Sequence, residues 1–572
     1  MKIFKYLKPY WLWVILSPLA MVLEVWVDLK LPKLMSEIID TGVIGGDIEF
    51  ITKTGMLMLG LAALGGLGGL ASAGFASVAS QNFGADLKGM AFRRVMKLSF
   101  SQTDKFTTGS LITRLTNDIS TLQHIVAMAL RMFVRTPMMF FGSIVMILEL
   151  NKDFGYVLIC SLPFQIAIVW FMMKKASPLF KVVQKKLDKV NSVVQENVGG
   201  ARMVKAYVRE DYEKKRFEDA NVDFMATNLK VQTIMSLIGP LMMIVMNAAV
   251  IAILYIGGIK VSEGMHVGEV MAAITYATRV LSSIMMLNMI FNSITRAKAS
   301  ADRVNEVLDT EPVIKSGSFK GETETRGTVE FKGVSFAYGD SAEKVLEDIS
   351  FKVEKGETLA ILGSTGEGKT SLVNLIPRFT EATEGEVVVD GVNVNEYDLE
   401  ALRGKIGYVL QKSELFSGTI RENILWGKSD ATDEEIVWAA EIAQADEYIQ
   451  GFNEKYDTLI GEKGMSLSGG QKQRLSIARA LISKPEILIL DDSTSALDLG
   501  TEARLRKALK EKLEETTVII IAQRIASVKD ADRIVLLEKG RICGVGTHDE
   551  LLENNEVYQD IYSSQMNKGG VE

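Results

Sequence analysis

Six apolar runs, each long enough to cross a bilayer, fall within the first 300 residues of this 572-residue chain. A helix needs about 20 such residues to span the hydrocarbon. The runs lie at about 11–33, 54–80, 125–149, 154–173, 232–258 and 267–293. The first carries Glu24 and Asp28, one helical turn apart and so on one face. The second is rich in small residues, which let helices approach closely in lipid. The third holds Arg131, Arg135 and Pro137. Methionines crowd the last two, among them Met235, Met242, Met243, Met246, Met285, Met286 and Met289. Intramembrane acids point either to a cationic ligand or to an ion pair with Arg131 or Arg135. The methionines read either as an adaptable binding surface or as apolar filler.

The connections between the runs are unequal. Residues 81–124 and 174–231 are long, polar and helix-like, and the second stretch holds 13 Lys and Arg from Lys174 to Lys230. The opposite connections, near 34–53, 150–153 and 259–266, are short and poor in basic residues. The positive-inside rule predicts that the long loops and both termini are cytoplasmic. The helices are therefore expected to continue well past the bilayer. The basic, amphipathic start (MKIFKYLKPYW) reads as an interfacial helix. It is a poor signal peptide, because the following run is too long, contains two acids and lacks a clear small-residue exit.

Composition describes two unlike halves. Apolar residues reach 48% while charged residues remain at 24%, too oily for a soluble enzyme and too charged for a membrane bundle alone. Two cysteines, Cys160 and Cys543, exclude a disulfide scaffold or a four-cysteine metal site. Three histidines, His124, His266 and His548, leave little for histidine metal chemistry. A net charge of −7 argues against nucleic acid as a partner.

The polar half opens after a charged helical stretch (296–309) and a Gly/Lys/Glu/Thr-rich linker. Its strongest signal is Gly363-Ser364-Thr365-Gly366-Glu367-Gly368-Lys369-Thr370, followed by Ser371, between an apolar strand (Thr358–Leu362) and a helical run. That strand–loop–helix setting is what a Walker A phosphate loop requires. Backbone N–H groups would close around phosphates, Lys369 would reach the β- and γ-phosphates, and Thr370 would hold Mg2+. Glu367 is an acid within an anion cradle, and its side chain is expected to turn to solvent. The apolar strand EILILDD ends in Asp491 and Asp492, as a Walker B strand does. Between these motifs stands LSGGQ, with Ser468, Gly469, Gly470 and Gln471.

With this order and spacing the chain closely resembles the ATP-binding cassette (ABC) family. Tyr338 matches the adenine-stacking position, Gln411 the Q-loop, Gly461–Gly464 the segment before the signature, and Ser495–Asp498 the D-loop. GSLITRLTNDI (109–119) and ENVGGARMVKAYVRE (196–210) resemble two loops carrying coupling helices, with tips near 104–108 and 207–212. The resemblance implies an exporter half-transporter, an α-helical six-span domain with long cytoplasmic extensions fused to an α/β P-loop domain. The expected division is 1–309 membrane domain, 310–327 linker and 328–572 nucleotide domain. ATP and Mg2+ are the implied cofactors, with Thr370, Gln411 and Asp491 around the metal. The bacterial cytoplasmic membrane is the implied location.

Two positions depart from the family pattern. Asp492 stands where the family usually has Glu, and Gln523 where it usually has His. Asp is shorter by about 1.5 Å, and Gln cannot become a cation at the γ-phosphate. The resemblance therefore points to the degenerate half of a heterodimeric multidrug exporter. Its own site would bind ATP and hydrolyse slowly, while Ser468–Gln471 complete the competent site of a second half-transporter. Its substrate would be a small hydrophobic compound. The alternatives are a lipid or peptide exporter, a fully active homodimer, and a purely regulatory ATP-binding subunit. No peptidase-like stretch precedes the first run, which points away from leader-cleaving peptide export.

Overall fold

Lipid offers no hydrogen bonds to a backbone, so each apolar run must satisfy its own amides as helix. The computed structural model, which describes residues 2–568 apart from 322, 324 and 340–342, follows this rule. Six helical segments are long and apolar enough to cross a membrane. The chain splits into two compact units, residues 1–94 with 109–310, and residues 95–108 with 311–572.

The first unit is helical. Its main members are α1 (Trp11–Glu37), α2 (Ile48–Val95), α4 (Thr108–Thr113) running through a π-helical turn into α5 (Ile119–Leu150), α6 (Lys152–Gly199), α7 (Ala201–Ala206), α8 (Glu210–Ser236), α9 (Ile238–Ser262) and α10 (Val267–Asp309). The short α3 (Phe100–Phe106) belongs to the second unit. At about 1.5 Å per residue, the 48 residues of α2 or α6 far exceed the thickness of a bilayer core. The small residues of α2 serve a close approach to α1. A Cβ on Gly65 would meet Val27 at 3.0 Å, and one on Gly69 would meet Glu24 Oε2 at 2.6 Å.

The N-terminal segment forms a 3-10 helix, Lys2–Tyr10, whose Ile3 is buried among Phe83, Leu87, Ile119 and Ala297. Tyr10 donates to Asp86 Oδ2 at 2.7 Å. Ile3 therefore has protein to cover it, while Phe4 stays exposed.

One buried polar cluster joins the π-helical turn between α4 and α5 to α10. Asp118, only 3% exposed, accepts from Arg303 Nε at 2.7 Å and from Ser300 Oγ at 2.8 Å. Nearby, Arg114 pairs with Glu306 at 2.7 Å.

The second unit is built on two larger sheets and a two-stranded β7-β8 ladder. The strands are β1 (Val329–Phe336), β2 (Leu346–Val353), β3 (Thr358–Leu362), β4 (Glu384–Val389), β5 (Val392–Asn393), β6 (Ile406–Val409), β7 (Gly418–Thr419), β8 (Leu459–Ile460), β9 (Ile487–Asp491), β10 (Thr517–Ala522), β11 (Arg533–Glu538) and β12 (Arg541–Gly546). An antiparallel sheet has the order β2-β1-β4-β5, and the larger sheet runs β12-β11-β3-β10-β9-β6. In the larger one every pairing is parallel except β11 with β12. Its central strands are apolar on both faces, as covered parallel strands must be. Leu362, Leu488 and Leu490 face a helical core with Leu475, Ile477 and Leu481. Ile361, Ile489 and Ile521 face the antiparallel sheet and Leu372.

The linker residues are anchored. Gly317 N–H donates to Tyr397 O at 2.8 Å, and Phe319 N–H to Glu396 O at 2.9 Å. The loop helix α3 is fixed to the same unit. Gln102 Nε2 donates to Glu311 O at 2.7 Å, and Phe100 meets Phe379 edge-on at 5.0 Å.

Asp118→Ala should destabilise the first unit by about 1.5–3 kcal/mol, because it strands Arg303 and Ser300. Arg303 is half exposed, so the lower end is expected. Thermal melting of the detergent-solubilised protein checks this, and an unchanged melting temperature would show that the cluster holds nothing together.

Candidate nucleotide site

Parallel register decides where the motifs meet. Leu362 pairs with Ala522, Ile521 with Asp491, and Leu490 with Val409. The four strand ends therefore deliver Gly363, Gln523, Asp491 with Asp492, and Gln411 to one edge of the sheet. In open α/β sheets that edge is where ligands bind.

The loop after β3 is cut to shape by glycine. Gly366 and Gly368 have φ of +92° and +89°. A Cβ on Gly368 would come within 2.9 Å of Leu346, whereas one on Gly366 meets nothing within 4 Å. Lys369 starts α11 (Lys369–Asn374), is 7% exposed, and donates from Nζ to Gly363 O at 2.7 Å and Ser364 O at 2.6 Å. Burial pulls its ammonium pKa down, against the pull of Asp492, Glu367 and Asp491. Thr370 Oγ1 lies 3.0 Å from Asp491 Oδ1. Asp491 is 1% exposed, and burial pushes its carboxyl above the usual range, with Thr370 opposing and Asp492 adding to the rise. An open glycine cradle, a desolvated ammonium and a hydroxyl–carboxylate pair fit a nucleotide phosphate chain with a divalent cation. No group of three or more His, Cys, Asp or Glu suited to a metal occurs among the described residues.

Asp492 has a left-handed backbone, φ +44°. Its Oδ2 accepts from Gln523 Nε2 at 3.1 Å and from Gln411 Nε2 at 3.3 Å. Gln523 Oε1 in turn accepts from Thr365 Oγ1 at 3.3 Å. Glu367 is not left to solvent as expected, because its carboxylate accepts the Lys539 backbone N–H. An acid inside a ring of amides finds a donor nearby. Tyr338 is exposed, and its hydroxyl lies 2.7 Å from Ser371 Oγ.

The signature residues cap a helix. Ser468 and Gln471 form a reciprocal box at the start of Gly469–Leu481, with Gln471 Oε1 2.9 Å from Ser468 N. Gln473 of that helix accepts from Ala496 N–H at 3.0 Å, which ties the signature to the D-loop. Among the histidines, His548 is paired with Tyr558 and His266 precedes α10.

Sequence reasoning missed three supports. Tyr408 is half-buried beneath the site and donates its hydroxyl to Asn374 Oδ1 at 2.8 Å, close to Asp491. Phe379 bridges Phe100 and Tyr408. Gln565, in the C-terminal helix, holds the strand end by donating to Gln523 O at 2.8 Å. Alternation along β6 could have flagged Tyr408, but no local signal points to Gln565.

Comparison with known proteins matches this architecture. The ABC transporter transmembrane region matches residues 14–285 and the ABC transporter domain matches residues 346–495. The ABC transporter ATP-binding protein YfiB of Bacillus subtilis is 41% identical, covering 100% of this chain and 99% of that protein. The chain belongs to the ABC transporter family. YgaD of B. subtilis, provisionally named a multidrug export ATP-binding/permease protein, is 32% identical over 98% of both chains. A bacterial Atm1-family ABC exporter solved with ATP bound superposes with a TM-score of 0.80 at 25% identity, covering 97% of this chain and 99% of that one. The protein is thus a multi-pass ABC exporter with a transmembrane and an ATP-binding domain. That domain implies ATPase-driven translocation and binding of ATP, normally with Mg2+.

The raised Asp491 pKa has a defined consequence. A folded-state pKa above the unfolded one means that keeping the carboxylate ionised at neutral pH costs stability, and the cost vanishes below the folded pKa. Asp491→Asn should therefore leave the nucleotide-free protein as stable as wild type or more so. It should also abolish the Mg2+-dependent rise in melting temperature on adding ATP. A retained Mg2+-dependent rise would remove Asp491 from the metal site.

Proposed function

We propose that this chain is one half of a heterodimeric exporter of hydrophobic or amphipathic compounds, and that its own site binds Mg-ATP but hydrolyses it slowly. The single observation carrying the slow site is the Asp492 carboxylate, held between Gln411 and Gln523 at 3.3 and 3.1 Å. Relative to Glu, its reach is shorter by about one carbon–carbon bond. A misplacement near 1 Å costs about 10²-fold. Gln523 adds a neutral amide where a cation would stabilise the γ-phosphate.

In this reading Lys369 binds the β- and γ-phosphates, and Thr370, Gln411 and Asp491 hold the metal. Tyr338 stacks on the base once its contact with Ser371 opens. Bound Mg-ATP supplies the phosphoanhydride whose cleavage resets the transporter. Ser468–Gln471 serve in trans, lying across the nucleotide of the partner chain, which carries the Glu and His. The second loop tip supports a second chain, because Tyr207, Val208 and Tyr212 are all exposed, Val208 by 81%. Lys174 to Lys230 support a cytoplasmic position for that loop, and hence for both termini and the ATP-binding domain. The provisional name of YgaD supports the substrate class.

ATP turnover of the purified full-length chain tests the slow site. Wild type should run well below the roughly 10 s⁻¹ typical of enzymes. Asp492→Glu combined with Gln523→His should raise turnover by about 10²-fold, and Lys369→Ala should abolish it. Brisk wild-type turnover, unchanged by the double substitution, rejects the reading.

A further inference from the structure

The membrane unit encloses a cavity of about 790 Å³ between α2, α5 and α10. Its apolar wall includes Met128, Met132, Met286 and Met289, flexible thioethers that adapt to varied shapes. Its polar wall includes Gln123, His124 and Arg131, and no Asp or Glu is among the lining residues. The acids of the first helix are already engaged elsewhere. Arg135 bridges both, with Nη1 3.2 Å from Glu24 and Nη2 3.2 Å from Asp28. These three residues line a second cleft beside α2, and Arg131 lines both that cleft and the cavity.

Arg131 has no such partner. No hydrogen bond or ion pair joins it to another described residue, and its Nε is buried without an acceptor. A guanidinium stays protonated and offers five donors. A cation within a membrane domain is costly unless paired, and where unpaired it marks a function. We infer that this cavity binds an amphipathic organic anion, with its carboxylate, sulfate or phosphate group on Arg131 and its apolar body against the methionines. This deepens the proposed export function and rests on it for the direction of movement. It turns away from the cationic ligand that Glu24 and Asp28 offered in the sequence, because Arg135 engages both acids and no acid lines the cavity with Arg131.

The test uses the full-length protein in phosphatidylcholine nanodiscs, with dansylaminoundecanoic acid, its primary amide and the corresponding amine as fluorescent probes. The acid should bind about tenfold more tightly than the amide, the equivalent of one charge-assisted contact, and the amine should bind least. Arg131→Gln should bring the acid to within about twofold of the amide, while Arg131→Lys keeps most of the preference. Mg-ATP affinity, measured on the same samples, should not change. Equal binding of acid and amide in wild type, tightest binding of the amine, or a preference that survives Arg131→Gln would each overturn the proposal. So would the absence of saturable acid binding. Repeating the titration with phosphatidylglycerol in the disc separates the sources of the anion. Weakened acid binding assigns the site to a lipid headgroup, and unchanged binding assigns it to a soluble acid. ATP-driven accumulation of the acid in vesicles is scored separately. Binding without accumulation counts against export and leaves the anion site standing.

Discussion

The parallel register of β3, β10, β9 and β6 is the constraint from which the nucleotide site follows. Each of these strands pays out its chemistry only at its carboxyl end, so a slip of one residue in any pair would turn that end to the other face. Val518 opposite Thr358 and Thr517 opposite Ile487 fix the register at the strand starts. Apolar side chains on both faces hold it along the length. The same burial that fixes the register desolvates Lys369 and Asp491, which shifts their pKa values in opposite directions. A phosphate chain with its cation would set an opposite charge beside each. Local destabilisation is thus the reverse side of affinity for the ligand.

Lipid imposes a different discipline on the other unit. Backbone polarity is satisfied by helix alone, so specificity rests on a few polar side chains and on how closely helices approach. The glycines of α2 bring α1 near enough for Gly69 to face Glu24, and Arg135 reaches the same carboxylate from α5. Two acids share one arginine, and Glu24 Oε2 is left buried without a hydrogen-bond partner. Arg131, one turn earlier on α5, is left to the cavity.

Much of this was legible in the sequence because it is local. Hydropathy marked the six spans, the small residues of 54–80 anticipated the close packing, and the spacing from Gly363 to Gln523 marked the loops that meet at the sheet edge. Glu24 and Asp28 were legible as a pair, but their choice of Arg135 over Arg131 was not, because it depends on how two helices are set against each other. The short α3 (Phe100–Phe106) overlaps the expected first loop tip at 104–108, and Ser99 and Gln102 form a capping box that fixes its start. The N-terminal helix was legible as amphipathic, yet the sequence could not say whether protein or lipid would cover Ile3. Glu367 found Lys539, and Gln523 found Gln565, across 172 and 42 residues. Such contacts exist only once the chain is folded.

The aromatic contacts beneath the site join these observations. Phe100 of α3 meets Phe379, Phe379 meets Tyr408, and the Tyr408 hydroxyl donates to Asn374 Oδ1 close to Asp491. Three rings thus separate a loop that arises between membrane helices from α11 and the buried Asp491 carboxylate. Close-packed interiors have little slack, so displacement at one end of such a stack is felt along it. Continuity provides a route and not a driving force, because coupling also needs an element with two arrangements that both ends bias. Asp491 would meet that need if a cation took the carboxylate oxygen that Thr370 Oγ1 now approaches at 3.0 Å.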